Sequence, residues 1–439
     1  MSPTTGVLAI GFARGLVGPK LKPINRQIDH RRLFEQTRRI LTPGEAGRTD
    51  WLGPVIILLL ALFGVVFIHS ATLTAGGNYW ARQLVWMVLG AGVYVVASQL
   101  DYKLYLENAL WFWLGAVLLL LLIFTPLGVT REGATRWLNF VVMNFQPSEA
   151  AKAATLIMVA SILARSELGT VGQSVYALGK TLLVMLIPMI LIFLQPDLGS
   201  CLIIPPVVLA LLYVSRLSQR FFVAVFVFSM LFGTWLGADL YRYAAFLQAN
   251  ELTAHEARGQ YQEESFFPFL RDYQRERIMG FVNPAVIDPT GTEAAWNRNQ
   301  SMRAVGAGGP LGKGRGKGLQ AQLGYLPRSV AHNDFIFAVL AEERGFVGAG
   351  LVIGLFGALL ANGVRIAGQA RDRFGMLLAV GVTVIFLIHI FVNIGMTIGL
   401  TPITGLPLPF LSYGGSFLLS CCFLQGIVQS VYRHRRERW

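Results

Sequence analysis

A chain of 439 residues is long enough for about two or three soluble domains, but its composition excludes them. Apolar residues make up 54% of the sequence and charged residues only 14%, and the mean hydropathy is +0.55. The formal net charge of +13 comes largely from cations at the two ends and between apolar runs, which argues against nucleic acid as a partner. These values are typical of a membrane-embedded protein and exclude both a soluble enzyme and a disordered chain.

The first fifty residues are basic and contain no long apolar core of the signal-peptide kind. We therefore expect residues 1–50 to form an uncleaved cytoplasmic tail. The three cysteines, Cys201, Cys421 and Cys422, lie inside apolar runs and lack the spacing of metal ligands. They predict neither a disulfide framework nor a zinc site.

Ten apolar runs are each about long enough to cross a hydrocarbon core of ~30 Å, which takes ~20 helical residues. They lie near 52–71, 83–100, 105–127, 150–164, 176–195, 198–214, 221–239, 334–363, 375–400 and 409–431. Nine or eleven spans are the alternatives, because the run at 150–164 is the weakest. The runs lack the alternation of barrel strands, so we predict an all-α membrane bundle, with spans one to seven in 51–239 and spans eight to ten in 334–432.

The cations predict which side of the membrane each loop occupies. With an inside amino terminus, the short outer loops carry only Arg82, Arg131 and Arg136, and most other cations near the spans lie on the cytoplasmic side. An even number of spans returns the chain to that side. Residues 433–439 are therefore predicted to be a second basic cytoplasmic tail.

One long polar segment, residues 240–333, follows the seventh span and is predicted to lie on the outer side of the membrane. Its glycine ladder, 306–318, carries Lys313 and has two open interpretations. The backbone could approach an anion whose charge the lysine neutralises, or the segment is a flexible loop near anionic head groups. A nominal dinucleotide-binding pattern in the same string has no preceding strand and is dismissed.

Ionisable residues at the edges of the spans are candidates for function, because a charge in hydrocarbon costs at least ~2.5–3.5 kcal/mol. Glu149 and Lys152 stand three apart and are expected to share a helical face, either as a structural ion pair or as part of a site. Asp197 follows a proline and precedes a new span, as a helix N-cap does. Asp334 begins an eighth helix that would be ~45 Å long, so its first turns, with Glu342 and Glu343, are expected near the outer interface.

Asp288 stands in a turn-rich part of the long loop, the string NPAVIDPTG at 283–291. Such a string is expected to hold one carboxylate in a fixed place, yet an aspartate before a proline is most often only a turn former. Spacing alone therefore leaves a structural and a catalytic role open for Asp288.

Several short strings gain specificity because they occur together. They are QPSE at 146–149, QPDLG at 195–199, YQR at 273–275, DFIFA at 334–338, AEE at 341–343, GLTP at 399–402 and LPFLSYGGS at 408–416. With them the chain resembles the SEDS family (shape, elongation, division and sporulation) over most of residues 50–432. The leucine of QPDLG and the string TGLPLP at 404–409 are more similar to the elongation branch of that family than to its division branch.

The resemblance implies a ten-helix membrane enzyme that polymerises glycan strands from lipid II on the outer face of the cytoplasmic membrane, for cell elongation and rod shape. It also implies a class B penicillin-binding protein as the transpeptidase partner, together with other membrane proteins of the elongation complex. No cofactor is expected by default, and a divalent cation at the diphosphate is the alternative.

The resemblance also implies roles for individual residues. Asp288 matches the family's essential loop aspartate by its DPxG context and would be the general base for the acceptor hydroxyl. From the needs of a departing diphosphate, and not from the resemblance, we expect the substrate-binding residues to be Lys152, Glu149, Arg303, Lys313, Asp334 and Glu342, with the cations holding the diphosphate. The chain departs from the family at 292–300, which lacks the usual Gly-Tyr-Gln, so the loop geometry there stays open.

Other functions are compatible with a helical bundle that contains polar residues. A flippase for lipid-linked precursors would need a similar path for a diphosphate head group, but it should tolerate changes at Asp288. A noncatalytic scaffold that organises a wall-building complex should also tolerate them. The division-specific member of the same family is the third alternative.

Overall fold

The computed structural model of the protein describes residues 49–435, with gaps at 75, 132–133, 141–142, 168–169, 251, 254–255, 258, 262–264, 266–269, 271, 289–294 and 328–329. Of the two predicted basic tails, residues 49–50 and 433–435 are described, and residues 1–48 and 436–439 fall outside the described residues. So do residues 289–294, directly after Asp288, and with them part of the segment in which the chain departs from its family.

The described elements are long apolar helices, several short connecting helices and three short strands. In chain order they are α1 (Leu52–Ala71), α2 (Tyr79–Gln99), α3 (Lys103–Glu107), α4 (Ala109–Leu122), β1 (Gly128–Arg131), β2 (Ala134–Phe140), β3 (Met143–Phe145), α5 (Pro147–Arg165), α6 (Val171–Leu194), α7 (Leu198–Val214), α8 (Gln219–Ala249), α9 (Asp272–Val282), α10 (Pro284–Ile287), α11 (Trp296–Ala307), α12 (Leu319–Gln322), α13 (Ile336–Gln369), α14 (Arg373–Thr397) and α15 (Gly415–Arg433).

The long helices confirm the predicted membrane bundle. Within the described residues, eight helices are long and apolar enough to cross a membrane, and α4 and α7 are shorter apolar helices. Each corresponds to one of the ten predicted runs. The weakest run proves to be α5, which begins at Pro147 with Gln146 as its N-cap residue. The chain is a multi-pass membrane protein.

Helix α5 lies at the centre of the bundle. Of its apolar stretch, 78% is buried, against 0% for α8. It packs against α4, α6, α7, α14 and α15, and its buried alanines allow these neighbours to approach closely. Helix α8 packs mainly against the short loop helix α10, so its apolar stretch is left to contact lipid.

A small antiparallel sheet, not predicted from the sequence, joins α4 to α5. Its order is β1-β2-β3, with Gly128 opposite Leu138 and Leu138 opposite Phe145. The guanidinium of Arg136 donates to the carbonyl of Pro196, which ties the sheet to the connection between α6 and α7. Strands of three to seven residues are too short to give a clear alternation of apolar and polar positions.

A kink at Gly345 divides α13 into two parts. The sequence had predicted one unbroken helix here. The φ of 64° and ψ of −162° at this residue form a backbone conformation that is nearly restricted to glycine. A Cβ added here would lie 2.4 Å from the backbone nitrogen of Gly312. The glycine ladder fills the break, and the N–H of Phe346 donates to the carbonyl of Gly309 at 2.8 Å.

A second, smaller apolar core holds part of the long loop against the end of α8. Leu240, Tyr243 and Leu247 of α8 pack there with Met279 and Ile287 of the loop helices. Because Ile287 directly precedes Asp288, this core positions the candidate base.

A fully buried arginine crosses the same region. The guanidinium of Arg275, which is 0% exposed, donates to Asp239 and to Asp272, each at 3.0 Å, and also to the hydroxyl of Ser265. Tyr261 donates to the carbonyl of Asp239 at 3.3 Å, and burial, followed by the charge of Asp239, raises the pKa of Tyr261. This network links α8 with α9 in the loop.

Substitution of Gly345 by alanine should destabilise the protein. The residue would have to adopt a conformation that costs of order 1–3 kcal/mol, and its Cβ would displace the ladder. We expect a fall of several degrees in the melting temperature of the purified protein. Gly350→Ala on the same helix is the matched control, because a Cβ there meets open space; equal melting temperatures for the two variants would contradict the interpretation.

Substitution of Arg275 by methionine should release the loop. It would leave Asp239 and Asp272 as buried carboxylates without their cation, a change that costs ~3–5 kcal/mol in other buried pairs. We expect faster proteolytic cleavage within residues 250–295, measured by mass spectrometry after limited digestion. Arg303→Met, at an exposed position of the loop helix α11, is the control. Unchanged cleavage in the Arg275 variant would show that the network does not hold the loop.

Candidate active site

Glu149 and Lys152 form a buried ion pair in the first turns of α5. Lys152 Nζ lies 2.8 Å from Glu149 Oε1, and both side chains are buried. The prediction that the two residues share one face of a helix is confirmed. The pair lies just beyond β3, near the end of the bundle that carries the sheet.

A histidine that the sequence analysis missed completes this cluster. Lys152 Nζ lies 3.1 Å from His389 Nε2, and His389 Nδ1 lies 3.1 Å from the carbonyl oxygen of Pro407. His389 is an ionisable residue inside the apolar run at 375–400, which was the available signal. Its partners are 237 and 18 residues away in the sequence, so the contacts themselves could not be read from it.

An apolar groove runs beside the ion pair, between α2, α4, α5 and α15. Within the described part of the chain, its lining has a single charged residue, Glu149. The other lining side chains are mostly aliphatic or aromatic and include Trp111, Phe112, Phe145, Leu419 and Phe423. The groove therefore offers an apolar surface with one carboxylate, which Lys152 contacts from the bundle interior.

Asp197 caps a helix, as predicted. Its Oδ1 accepts from the N–H of Ser200 at 3.2 Å, at the start of α7. Its Oδ2 accepts from Gln146 Nε2 at 3.1 Å and from Ser148 Oγ at 3.2 Å. The strings at 146–149 and 195–199 thus bind each other, and they fix the beginning of α5 close to the ion pair.

Asp288 lies at the end of α10 and is only 5% exposed. Its N–H donates to the carbonyl of Pro284 at 2.9 Å, and its Oδ2 accepts from the N–H of Ala295 at 3.1 Å. The second contact joins Asp288 to Ala295, the N-cap residue of α11, across residues 289–294. One carboxylate is therefore held in a fixed place, as the turn-rich string indicated.

Lys313 and Glu342 form a second ion pair, at 2.7 Å. Glu342 is fully buried and also accepts from the N–H of Leu319 at 2.9 Å. The N–H groups of Lys313 and Gly314 donate to carbonyls of α13, each at 3.0 Å. These two amides pair with α13 and hold the ladder in place there, so an anion would meet the Lys313 side chain and not these N–H groups.

The two remaining predicted residues lie on other elements. Arg303 is exposed on α11, and Asp334 is half-buried just before α13. The main-chain carbonyl of Asp334 accepts from Asn393 Nδ2 at 2.8 Å. The structure thus brings Glu149 to Lys152 and Lys313 to Glu342 by direct contact, and places Asp288, Arg303 and Asp334 on three separate elements.

Metal binding was the open alternative for the diphosphate. Among the described residues, no group of three or more His, Cys, Asp or Glu side chains is arranged to hold a metal ion. The buried carboxylates at the candidate site instead have nitrogen donors as partners, namely Lys152 for Glu149 and Lys313 for Glu342.

Comparison with known proteins places these features in a family. The model of the FtsW/RodA/SpoVE family, described as a cell cycle protein, matches residues 50–437. Peptidoglycan glycosyltransferase MrdB of Escherichia coli K12 is 34% identical over 87% of this chain and 93% of its own length. Probable peptidoglycan glycosyltransferase FtsW of Geobacter metallireducens is 35% identical over 86% and 94%.

Solved structures agree with this assignment. A chain from a peptidoglycan synthase complex, in which polymerization and crosslinking are coordinated, matches with a TM-score of 0.69 and 26% identity over 89% of this chain and 99% of that one. The rod shape determining protein RodA of Thermus thermophilus matches with a TM-score of 0.60 and 25% identity over 89% and 98%. The chain is therefore a member of the FtsW/RodA/SpoVE family, the SEDS family that its motifs indicated.

Proposed function

We propose that this peptidoglycan glycosyltransferase polymerises lipid II into glycan strands for cell elongation. The observation that carries the proposal is the apolar groove whose one charged lining residue, Glu149, contacts Lys152. A groove of this kind suits a substrate with a long hydrocarbon chain and a charged head group that forms hydrogen bonds. The names of the relatives supply the class of reaction, and the groove indicates a lipid-linked substrate.

The chemistry needs a base and cations. The 4-hydroxyl oxygen of the acceptor sugar bonds to the anomeric carbon of the donor, while the bond from that carbon to the diphosphate oxygen breaks. The hydroxyl proton must be taken up, and the diphosphate leaves as an anion that needs neutralisation. We assign the base to Asp288, whose carboxylate is fixed by the N–H of Ala295 and is largely shielded from water.

The three proposed cations differ in how they are held. Lys152 is buried between partners, whereas the Lys313 side chain is 30% exposed and Arg303 is exposed. Lys313 and Arg303 can therefore approach a diphosphate without repacking of the bundle. Lys152 lies behind Glu149 as seen from the groove. We assign Asp334 to holding the backbone through its contact with Asn393, and Glu342 to holding Lys313.

The elongation role and the cellular setting belong to the same proposal. Elongation-type and division-type relatives match at comparable identity, 34% and 35%, so the elongation role rests on Leu198 and on TGLPLP at 404–409. A class B penicillin-binding protein is the proposed partner, beside other elongation-complex membrane proteins, and the synthase complex found among the similar structures supports it. The distribution of cations supports the cytoplasmic membrane, with both termini inside and the site on the outer face.

Substitution of Asp288 by asparagine should abolish or severely reduce polymerisation, because a general base contributes ~10²–10⁴ in rate. The assay is polymerisation of fluorescent lipid II by the reconstituted protein, with and without the candidate transpeptidase, resolved as a ladder on a gel. Asp101→Asn is the matched control, because the Asp101 carboxylate accepts a local hydrogen bond from the N–H of Lys103 and lies in the connection between α2 and α3.

The alternatives predict other results in that assay. A flippase would move lipid II across the vesicle membrane without making polymer and would tolerate the substitution. A scaffold would make no polymer alone and would still assemble with its partner after the substitution. A near-normal polymerisation rate for Asp288→Asn would refute the general-base assignment.

A double substitution separates a catalytic from a structural role of Lys152. Lys152→Met leaves Glu149 as a buried carboxylate without its cation, and adding Glu149→Gln removes that charge as well. We expect the double variant to regain the melting temperature while its polymerisation rate stays about 10- to 100-fold low. The Glu149→Gln single variant completes the cycle. Recovery of both properties would show that the pair is only structural.

A further inference from the structure

His389 connects the ion pair of α5 to the segment that follows α14. The imidazole lies in the buried interior, between Lys152 on one side and the carbonyl of Pro407 on the other. His389 has no role in the proposed chemistry described above.

The two contacts fix the state of the ring. A carbonyl oxygen only accepts, so Nδ1 must carry a proton and donate to Pro407. A lysine ammonium only donates, so Nε2 must be unprotonated and accept from Lys152. The geometry therefore requires a neutral imidazole in one tautomer, in which Nδ1 donates a hydrogen bond and Nε2 accepts one.

The surroundings of Lys152 leave its ammonium few other positions. It lies 2.8 Å from Glu149 Oε1, 3.1 Å from His389 Nε2 and 6.0 Å from the centre of the Phe417 ring. A small cavity, about the size of one water molecule, adjoins these side chains. His389 Nε2 is thus the neutral acceptor that sets where the ammonium stands relative to Glu149.

The other contact of the ring reaches an ordered segment. Asn393, one turn further along α14, donates to the carbonyl of Leu406 at 2.7 Å, and the N–H of Leu408 donates to Ser412 Oγ at 2.8 Å. Pro407 therefore lies in a segment that Asn393 of α14 holds on one side and Ser412, further along the same segment, holds on the other. His389 is anchored through it and does not depend on Lys152 for its own orientation.

We propose that His389 is a positioning residue for the glycosyl transfer, one that holds Lys152 behind Glu149 at the groove. It acts through Lys152 and has no contact of its own with substrate. The inference rests on the proposed function, in which Lys152 helps to neutralise the departing diphosphate. Its effect is therefore expected mainly on kcat, since the charge of the leaving group develops in the transition state.

Two substitutions separate the two contacts. His389→Asn keeps a nitrogen donor near the position of Nδ1 for Pro407 and removes the acceptor for Lys152. His389→Gln keeps an oxygen acceptor near the position of Nε2 for Lys152 and removes the donor for Pro407. In full-length protein reconstituted with fluorescent lipid II, we expect the Asn variant to lose about 10- to 100-fold in kcat, with a smaller change in KM, and the Gln variant to retain most of its rate.

Melting temperatures and Asp288→Asn serve as references. Two results would overturn the inference: wild-type rates for both His389 variants, or equal losses of rate with equal falls in melting temperature. In either case the proposed function would still stand if the wild type made polymer and Asp288→Asn did not. Absence of polymer from the wild type would instead refute the proposed function itself.

A second comparison does not depend on the folding of the Asn variant. In the Lys152→Met background, followed over long incubations, His389→Leu should cause no further loss of polymerisation, because the residue through which it acts is already gone. A further loss of about tenfold or more would show that His389 contributes by another route and would contradict the inference.

Discussion

Pairing of buried charge is the constraint on which the rest of this structure depends. An isolated charge in hydrocarbon or in a protein interior is costly, so each buried ionisable group must find partners. Lys152 lies between Glu149 and His389, Arg275 lies between Asp239 and Asp272, and Lys313 pairs with Glu342. Each set joins elements that are distant in sequence. The contacts that pair the buried charges therefore also hold the residues of the candidate site in place.

The sequence was sufficient for the bundle and for local geometry. Hydropathy located every apolar helix, and the spacing of Glu149 and Lys152 predicted their shared face because both lie within one helical turn. Asp197 was recognisable as a cap because its partner, Ser200, is three residues away. In each of these cases the controlling interaction is local or depends on the average polarity of about twenty residues.

What could not be predicted depends on contacts between distant segments. The kink at Gly345 depends on the close approach of Gly312, and the charged residues 342–344 before it are equally compatible with the outer end of one straight helix. The role of His389 needs Lys152 and Pro407, and the order of the glycine ladder depends on contacts with the distant helix α13. The small sheet was missed for a different reason, since its strands are too short to show a period.

Helix α8 has a mechanical consequence for the long loop. Its 31 residues correspond to about 46 Å, more than the ~30 Å that a hydrocarbon core requires. Since its apolar stretch is not buried by the bundle, neighbouring helices constrain its tilt less than that of the buried helices, and a mismatch with the bilayer thickness can change it. The far end of the same helix carries the apolar core beneath Ile287. Thinning or thickening of the surrounding lipid would therefore be transmitted to the carboxylate of Asp288 as a change of position.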